Sequence, residues 1–196
     1  MPRTKQANQE IRAAREEQIR TQAAHQFAHR GYVGTRIEDI TQATGISKGL
    51  IYHYYGSKES LFTTLIERAA RGTLHLYEMA YARPASAVER LRWLMESITA
   101  GLADQEDMFL VVMQAFVSDA VPPQAQSHAR ALALGALTIL TGIIHEGQNA
   151  GLFVDTPAEQ LALVVSSCIQ GLAVARVMNT PTAAVTDNLM NLIAKR

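Results

Sequence analysis

The sequence predicts an all-α protein, with three helices in an N-terminal domain and a larger helical domain after it. Two observations predict this fold class. Apolar residues recur at three- and four-residue spacing along most of the chain, which is the period of a half-buried helix. No segment shows several cycles of strand alternation bounded by hairpin turns. Hydrophobic residues make up 48% of the 196 residues, enough to bury a core and to argue against disorder.

The first helix is predicted from about Asn8 to Arg30. Ile19, Ala23 and Phe27 are spaced by four residues, so they share one face of the helix and form an apolar stripe. Gly31 follows, and glycine commonly ends a helix because it adopts left-handed backbone angles without strain. We therefore expect this helix to pack through the stripe and to stop at Gly31.

A short second helix is predicted after this stop. Thr35 and Glu38 have the spacing of a capping box, in which a hydroxyl and a carboxylate bind backbone N–H groups at the helix start. The helix is then expected to begin near Arg36 and to end by Gly45.

Two serines predict the starts of the next two helices. Ser47 can cap a helix from Lys48 to Tyr55, and Ser57 can cap one that begins at Lys58. The buried face of this longer helix is predicted to carry Leu61, Phe62, Leu65 and Ile66.

Prolines mark the corners of the remaining chain. Pro84, Pro122 and Pro123 interrupt helices because proline lacks the amide N–H and clashes with the preceding turn. With a further turn over 150–157, the helices are predicted over residues 57–81, 85–103, 105–120, 124–149, 158–178 and a short stretch from 182.

Two short capped helices joined by a glycine-containing turn have the layout of a helix-turn-helix. They lie in a basic part of the chain: up to Ser60 there are nine basic and six acidic residues, a net charge of +3, whereas the whole chain has a net charge of zero. A polyanion would therefore favour this end of the chain.

The second of these helices would enter a DNA groove. Ile51 and Tyr55 are four residues apart and are expected to face the core, which leaves the other sides to Lys48, Leu50, Tyr52, His53 and Tyr54. Phenols and imidazoles can donate to phosphates or base edges, and the helix starts near Arg36, Lys48 and Lys58 offer free N–H groups to phosphates. On this interpretation residues 1–56 form a DNA-binding domain.

The segment TGISKGLIYHYYGSKESLF, preceded by GYVGTRIEDI, closely resembles the signature of the tetracycline-repressor (TetR/AcrR) family, and the resemblance runs from Ile19 to Phe62. It implies DNA contacts at Thr35, Arg36, Ser47, Lys48, Gly49, Tyr52, His53, Tyr54 and Lys58. The sequence departs from the family pattern at Tyr55, where Phe is usual, at Gln26, where Leu is common, and at Thr41 and Thr44, where Ala is usual. These departures concern local packing. The alternative is that Tyr52 and Tyr54 are half-buried aromatics and that Lys48 and His53 are solvated side chains.

The segment ALALGALTILTGII, residues 131–144, is apolar nearly all round, so it must be covered on more than one side. Stripes of small residues on this helix and the next would let helices approach closely: Ala131, Gly135, Thr138 and Gly142, then Val164, Ser167, Gly171 and Ala175. A second subunit is the natural cover, which predicts a homodimer joined by a four-helix bundle. The alternative is packing within one chain. Two-fold symmetry further predicts a palindromic operator with half-sites about 34–36 Å apart.

A small, largely apolar effector is predicted to bind between the corners at Pro84 and Pro122. The candidate pocket residues are Tyr77, Tyr81, Trp93, Met95, Met108, Phe109, Met113 and Phe116, because methionine adapts to varied apolar shapes and Trp and Tyr add hydrogen-bonding edges. His75, Glu96 and Gln114 are candidates to orient a polar group of the ligand. The alternative is that these aromatic and methionine side chains are core. With this pocket and the dimer stripes, residues 57–196 form a ligand-sensing and dimerisation domain.

Several classes of protein are not expected. The chain has no GxGxxG, GxxxxGK[ST] or HExxH motif, so we predict no enzyme activity, no cofactor and no metal site. Cys168 is the single cysteine, which excludes a disulfide within the chain. The first twenty residues are charged throughout and lack the apolar core of a secretory signal, so a cytoplasmic location is expected. The two apolar runs, 131–144 and 161–178, are too short or too interrupted to predict a membrane span.

Together these features predict a one-component transcription regulator: a repressor that binds double-stranded operator DNA as a dimer and releases it when the effector binds. The alternative from another class is a helical interaction or sensor protein that does not bind DNA.

Overall fold

The computed structural model describes residues 5–102, 105–182 and 184–195. Within these residues the chain forms nine α-helices: α1 Lys5–Gly34, α2 Ile37–Thr44, α3 Lys48–Tyr55, α4 Lys58–Ala82, α5 Ala87–Gly101, α6 Glu106–Val117, α7 Pro123–Asn149, α8 Ala158–Val177 and α9 Val185–Ile193. The described β-structure is an isolated antiparallel bridge between Phe153 and Ala194. The all-α prediction is confirmed.

The helices belong to two compact units. The first comprises the residues up to Ala69 together with Leu110–Ala129, and the second comprises Ala70–Phe109 together with the residues from Arg130 onward. The first unit therefore contains α1 to α3, the first half of α4, and parts of α6 and α7. It is larger than the three-helix domain predicted for residues 1–56, and the functional boundary at residue 57 stays a prediction.

The first unit is held together by the stripe that the sequence predicts on α1. Ile19, Ala23 and Phe27 are fully buried, as are the predicted core residues of α4. The Phe27 and Phe62 rings meet edge to face with centroids 5.0 Å apart, a favoured geometry for aromatic pairs. These contacts fix the bundle on which α2 and α3 are mounted.

A sharp break near the end of α1 allows the chain to turn toward α2. Gly31 has φ 72° and ψ 167°, outside the helical region, and one further turn follows to Gly34. A residue with a Cβ would be strained at this φ, so glycine is required here. The predicted stop at Gly31 is confirmed as a break within α1.

The second unit has an apolar core of its own, in which α5 packs against α8 and α9. Ser86 caps α5: its hydroxyl accepts a bond from the Glu89 N–H at 3.3 Å, and the Glu89 carboxylate accepts one from the Ser86 N–H at 2.9 Å. Gly147 on α7 allows Phe153 to pack directly on the helix, since a Cβ there would overlap the phenyl ring. The core therefore depends on close approach as well as on apolar burial.

By length and composition α7 and α8 could each cross a membrane. The sequence predicts no span because the run 131–144 is short and the run 161–178 contains polar residues, whereas the two helices are 27 and 20 residues long and apolar on average. Long core helices of soluble proteins have the same length and composition. Both α7 and α8 contribute buried residues to the core of the second unit, including Leu140 and Ile144 on α7 and Leu161 and Val165 on α8.

Candidate nucleic-acid interface

The start of α2 is fixed by an aspartate. The Asp39 carboxylate accepts a hydrogen bond from the Arg36 N–H at 2.8 Å and pairs with the Arg30 guanidinium at 2.6 Å. These interactions hold the pKa of Asp39 below its ordinary value, and the bond from the Arg36 main chain is the largest cause. The capping pair predicted from Thr35 and Glu38 is therefore wrong by one residue.

The cap is displaced because Thr35 points inward. Its side chain is fully buried. Its hydroxyl lies 2.8 Å from the Gly31 carbonyl and 3.0 Å from the Gln26 carbonyl, and it can donate its hydrogen to either of them. The Gly31 carbonyl belongs to the break in α1, and it also accepts the Thr35 N–H at 3.2 Å. Thr35 thus stabilises the connection between α1 and α2, and the DNA contact implied for its side chain is corrected to a structural role.

The turn between α2 and α3 follows the sequence prediction closely. Gly45 is left-handed (φ 68°), and its N–H donates to the Thr41 carbonyl at 2.9 Å. The Ser47 hydroxyl accepts a bond from the Leu50 N–H at 3.3 Å, and the Ser57 hydroxyl accepts one from the Ser60 N–H at 3.0 Å at the start of α4. Both predicted serine caps are present: Ser47 caps the start of the eight-residue α3, and Ser57 caps the start of α4.

One side of α3 packs inward and the other is open. Ile51 is buried, and the half-buried Tyr55 donates its hydroxyl to the Glu16 carbonyl of α1 at 3.3 Å. The open side brings together five of the predicted DNA-contact residues, all exposed: Ser47, Lys48, Gly49, Tyr52 and His53. Tyr52 has 39% of its surface exposed, whereas Tyr54 is half-buried. Arg36, at the start of α2, is also exposed.

The cation at the start of α3 is already paired. The Lys48 ammonium bonds to the Glu38 carboxylate of α2 and lies 5.8 Å from the centroid of the Tyr52 ring. The hydrogen bond from Lys48 is the largest cause that holds the pKa of Glu38 below its ordinary value. An acidic group therefore stands beside the surface that would approach DNA.

Lys58, at the start of α4, is engaged with the main chain of the first unit. Its ammonium donates to the Tyr32 carbonyl at 2.8 Å and to the Thr35 carbonyl at 3.0 Å, and it lies 4.4 Å from the centroid of the Tyr32 ring. The side chain is half-buried and engaged with the main chain. Lys58 therefore ties the α1–α2 connection to α4. Its ammonium keeps a third N–H donor, and the phosphate contact implied for it stays a prediction.

A clamp that the sequence analysis missed lies at the same connection. The Gln114 side chain on α6 accepts a hydrogen bond from the Tyr32 N–H at 3.0 Å and donates one to the Phe27 carbonyl at 2.7 Å. It thereby joins the two sides of the break at Gly31. The amide proposed to orient an effector is used for this purpose. The partners are 82 and 87 residues away in sequence, so no local pattern could have found them.

The predicted pocket residues do not form one group. Tyr77 and Met95 are buried in the core of the second unit, with Trp93 packed against it. Tyr81 is 44% exposed, and Met108 and Phe109 are half-buried. Met113 and Phe116 belong to the first unit. The core interpretation therefore fits Tyr77 and Met95, which fill space between helices, and effector binding by the others stays a prediction.

The predicted dimer stripe on α7 is divided between two roles. A Cβ at Gly135 would lie 2.9 Å from Leu74 Cδ1, and one at Gly142 would lie 3.0 Å from Tyr81 Cε2. These two glycines therefore serve close packing on α4 of the same chain. Ala131 and Thr138 of α7 are exposed, as are Val164, Ser167 and Gly171 of α8, and Ala175 is half-buried.

Residues 19–65 match the family described as bacterial regulatory proteins, tetR family. The chain is 27% identical over 129 residues to the HTH-type transcriptional repressor NicS of Pseudomonas putida, which covers 66% of this chain and 61% of that protein. It is 25% identical over 183 residues to an HTH-type transcriptional repressor of Streptomyces coelicolor, with 88% of each covered. Its fold is similar to that of a transcriptional regulator from Saccharomonospora viridis solved in complex with choline, with a TM-score of 0.75, 23% identity, and 94% and 100% coverage of this chain and that chain.

Proposed function

Since the chain belongs to the tetR family of bacterial regulatory proteins, a non-enzymatic class, we propose that it is a transcriptional repressor that binds a palindromic operator as a homodimer. The observation that carries the proposal is the exposed side of α3. Lys48, Tyr52 and His53 project there from a helix whose ends are capped and whose back is held by Ile51. A short rigid helix with one polar, aromatic face suits the major groove of DNA.

We propose that some residues of this surface bind backbone phosphates and others contact bases. The N–H groups at the start of α3 and the exposed Arg36 suit backbone phosphates, which position the protein without reading sequence. The phenol of Tyr52 and the imidazole of His53 lie on the exposed side and suit base edges. Glu38 would release Lys48 when a phosphate competes for the ammonium.

A second copy of the chain is proposed to cover the exposed apolar side of α8 together with Leu134 of α7, which is 67% exposed. Isologous packing of these faces would relate the two copies of α3 by a two-fold axis, which requires a palindromic site. A small, largely apolar effector in the C-terminal domain would favour a spacing of the two DNA-binding domains of the dimer that does not fit the two half-sites. Such a repressor works in the cytoplasm and needs no cofactor.

The test begins with a duplex selected by the full-length protein from a randomised library. Tyr52→Ala is expected to weaken binding to this duplex by more than about tenfold, a loss of about 1.4 kcal/mol, in a fluorescence anisotropy titration. Met79→Ala is the control, because Met79 has a similar exposed fraction but lies in the other compact unit and outside the predicted effector pocket. Sedimentation velocity should show dimers for both variants. Unchanged affinity of Tyr52→Ala would contradict the placement of the DNA-binding surface, and the absence of any salt-dependent binding would favour a helical protein that does not bind DNA.

A further inference from the structure

We propose that the exposed side of α1 before the matched segment, residues 5–18, is a second DNA contact, in which Arg12 binds a backbone phosphate beside the groove that α3 enters. This inference rests on the proposed function and extends its surface. The family match begins at residue 19, whereas α1 begins at Lys5, so the first three to four turns of the helix lie outside the matched segment.

Two contacts place this part of α1 beside the recognition helix. The Arg12 guanidinium lies over the Tyr54 ring, 5.5 Å from its centroid. One turn further along α1, the Glu16 carbonyl accepts the hydroxyl of Tyr55 at 3.3 Å. The Tyr54 ring in turn lies 5.7 Å from the ring of His53, which is exposed on the proposed DNA surface. Arg12 therefore continues that surface from α3 onto α1.

The charge of the first part of the segment suits a phosphate. Residues 5–15 include three basic residues and one acidic residue, whereas the whole segment 5–18 has three of each. The two carboxylates that follow, Glu16 and Glu17, both pair with Arg20, whose side chain is only 13% exposed. Acidic neighbours are therefore partly neutralised from the inner side of the helix.

The guanidinium of Arg12 is oriented and accessible. Its Nε donates to the Glu16 carboxylate at 2.8 Å, and 65% of the side chain is exposed. An arginine carries four further N–H donors on its two Nη atoms, in a planar arrangement that matches two phosphate oxygens. Glu16 and Tyr54 thus hold the group in one orientation, and a phosphate can bind without displacing either.

The experiment compares the salt dependence of operator binding for Arg12→Ala and Arg12→Lys in the full-length protein. The probe is the selected duplex, measured by fluorescence anisotropy over a series of KCl concentrations. Each phosphate contact contributes about 0.9 to the slope of log K against log salt concentration, so losing one at each head of a dimer should lower the slope by about 1.8. If the two proteins bind equally at about 1 M salt, where these contacts contribute little, a slope difference of about 1.8 corresponds to roughly 60-fold weaker binding of the variant at about 0.1 M salt. Arg12→Lys should keep the slope, because the charge remains, and lose part of the affinity.

Lys195→Ala is the matched control, since it also removes one exposed cation paired with a carboxylate, Asp155, but in the other compact unit. It should leave slope and affinity at wild-type values. If Arg12→Ala behaves like this control while Tyr52→Ala still weakens binding, the second contact is refuted and the proposed function stands. If Arg12→Ala weakens binding with an unchanged slope, and Tyr54→Phe does the same, Arg12 only positions Tyr54 and the inference is also refuted. If the wild type binds no selected duplex, the proposed function fails and this inference fails with it.

Discussion

Replacement of Gln114 by methionine should destabilise the first unit by about 2–3 kcal/mol. The variant keeps the length of the side chain but loses the 3.0 Å bond from the Tyr32 N–H and the 2.7 Å bond to the Phe27 carbonyl. Each bond contributes about 1 kcal/mol net, and a partly buried backbone group left without a partner adds to the cost. The Tyr32 N–H directly follows the break at Gly31.

Gln114→Glu separates the two bonds. A carboxylate can still accept from the Tyr32 N–H, but it cannot donate to the Phe27 carbonyl and places a negative charge beside it. We expect a loss of about 1–3 kcal/mol for this variant. The measurement is urea unfolding followed by far-UV circular dichroism at one fixed protein concentration, because dimer formation adds to apparent stability.

The control is Gln6→Met, which changes an exposed glutamine of the same unit whose contact is a 3.4 Å bond to Glu10. Its free energy of unfolding should stay within about 0.5 kcal/mol of wild type. A Gln114→Met variant as stable as this control would show that the break in α1 does not depend on α6.

Two further variants test electrostatic features of the chain. Glu38→Gln removes the partner of Lys48, so a phosphate no longer has to displace a carboxylate and binding to a random-sequence duplex should strengthen several-fold at every salt concentration; unchanged affinity would show that Glu38 does not compete with phosphate. Burial raises the pKa of Tyr77 to about 12 from its ordinary value of 10.0, so the stabilisation from keeping this phenol neutral is complete below pH 10 and is lost as the pH rises toward 12. Between about pH 9 and pH 11.5, the free energy of unfolding of the wild type should therefore fall by about 2 kcal/mol more than that of Tyr77→Phe, measured by urea unfolding. Equal losses in the two proteins would show that the Tyr77 phenol does not cause the pH dependence.

The parts of the fold predicted correctly are those that depend on neighbours in sequence. Ser47 and Ser57 cap helices through N–H groups three residues ahead, and Ile19, Ala23 and Phe27 share a face because of helical spacing. Thr35 shows where this reasoning fails. Its hydroxyl can bind either an N–H group ahead or a carbonyl behind, and the break at Gly31 supplies the carbonyl.

The main-chain contacts of Lys58 and Gln114 could not be predicted, for a different reason. Each side chain binds main-chain groups that are brought near only by the tertiary fold: Lys58 at a distance of 23 and 26 residues, and Gln114 at 82 and 87. A long polar side chain carries no sequence signal for such partners. The resemblance implies a DNA contact for Lys58, and the composition of the segment around Gln114 suggests an effector contact. Neither observation indicates the main-chain groups that these side chains bind.

The small-residue stripes raise the question of which helix a small residue meets. A stripe allows close approach, but it does not identify the partner, and Gly135 and Gly142 meet α4 of the same chain. What distinguishes a surface for a second copy is therefore large apolar side chains left exposed, as Leu134, Leu163 and Val164 are. Burying such side chains contributes roughly 1.5–3 kcal/mol each, and a two-fold interface counts every one of them twice. The proposed dimer thus depends on these side chains more than on the glycines, and the same two-fold axis would set the distance between the two copies of α3.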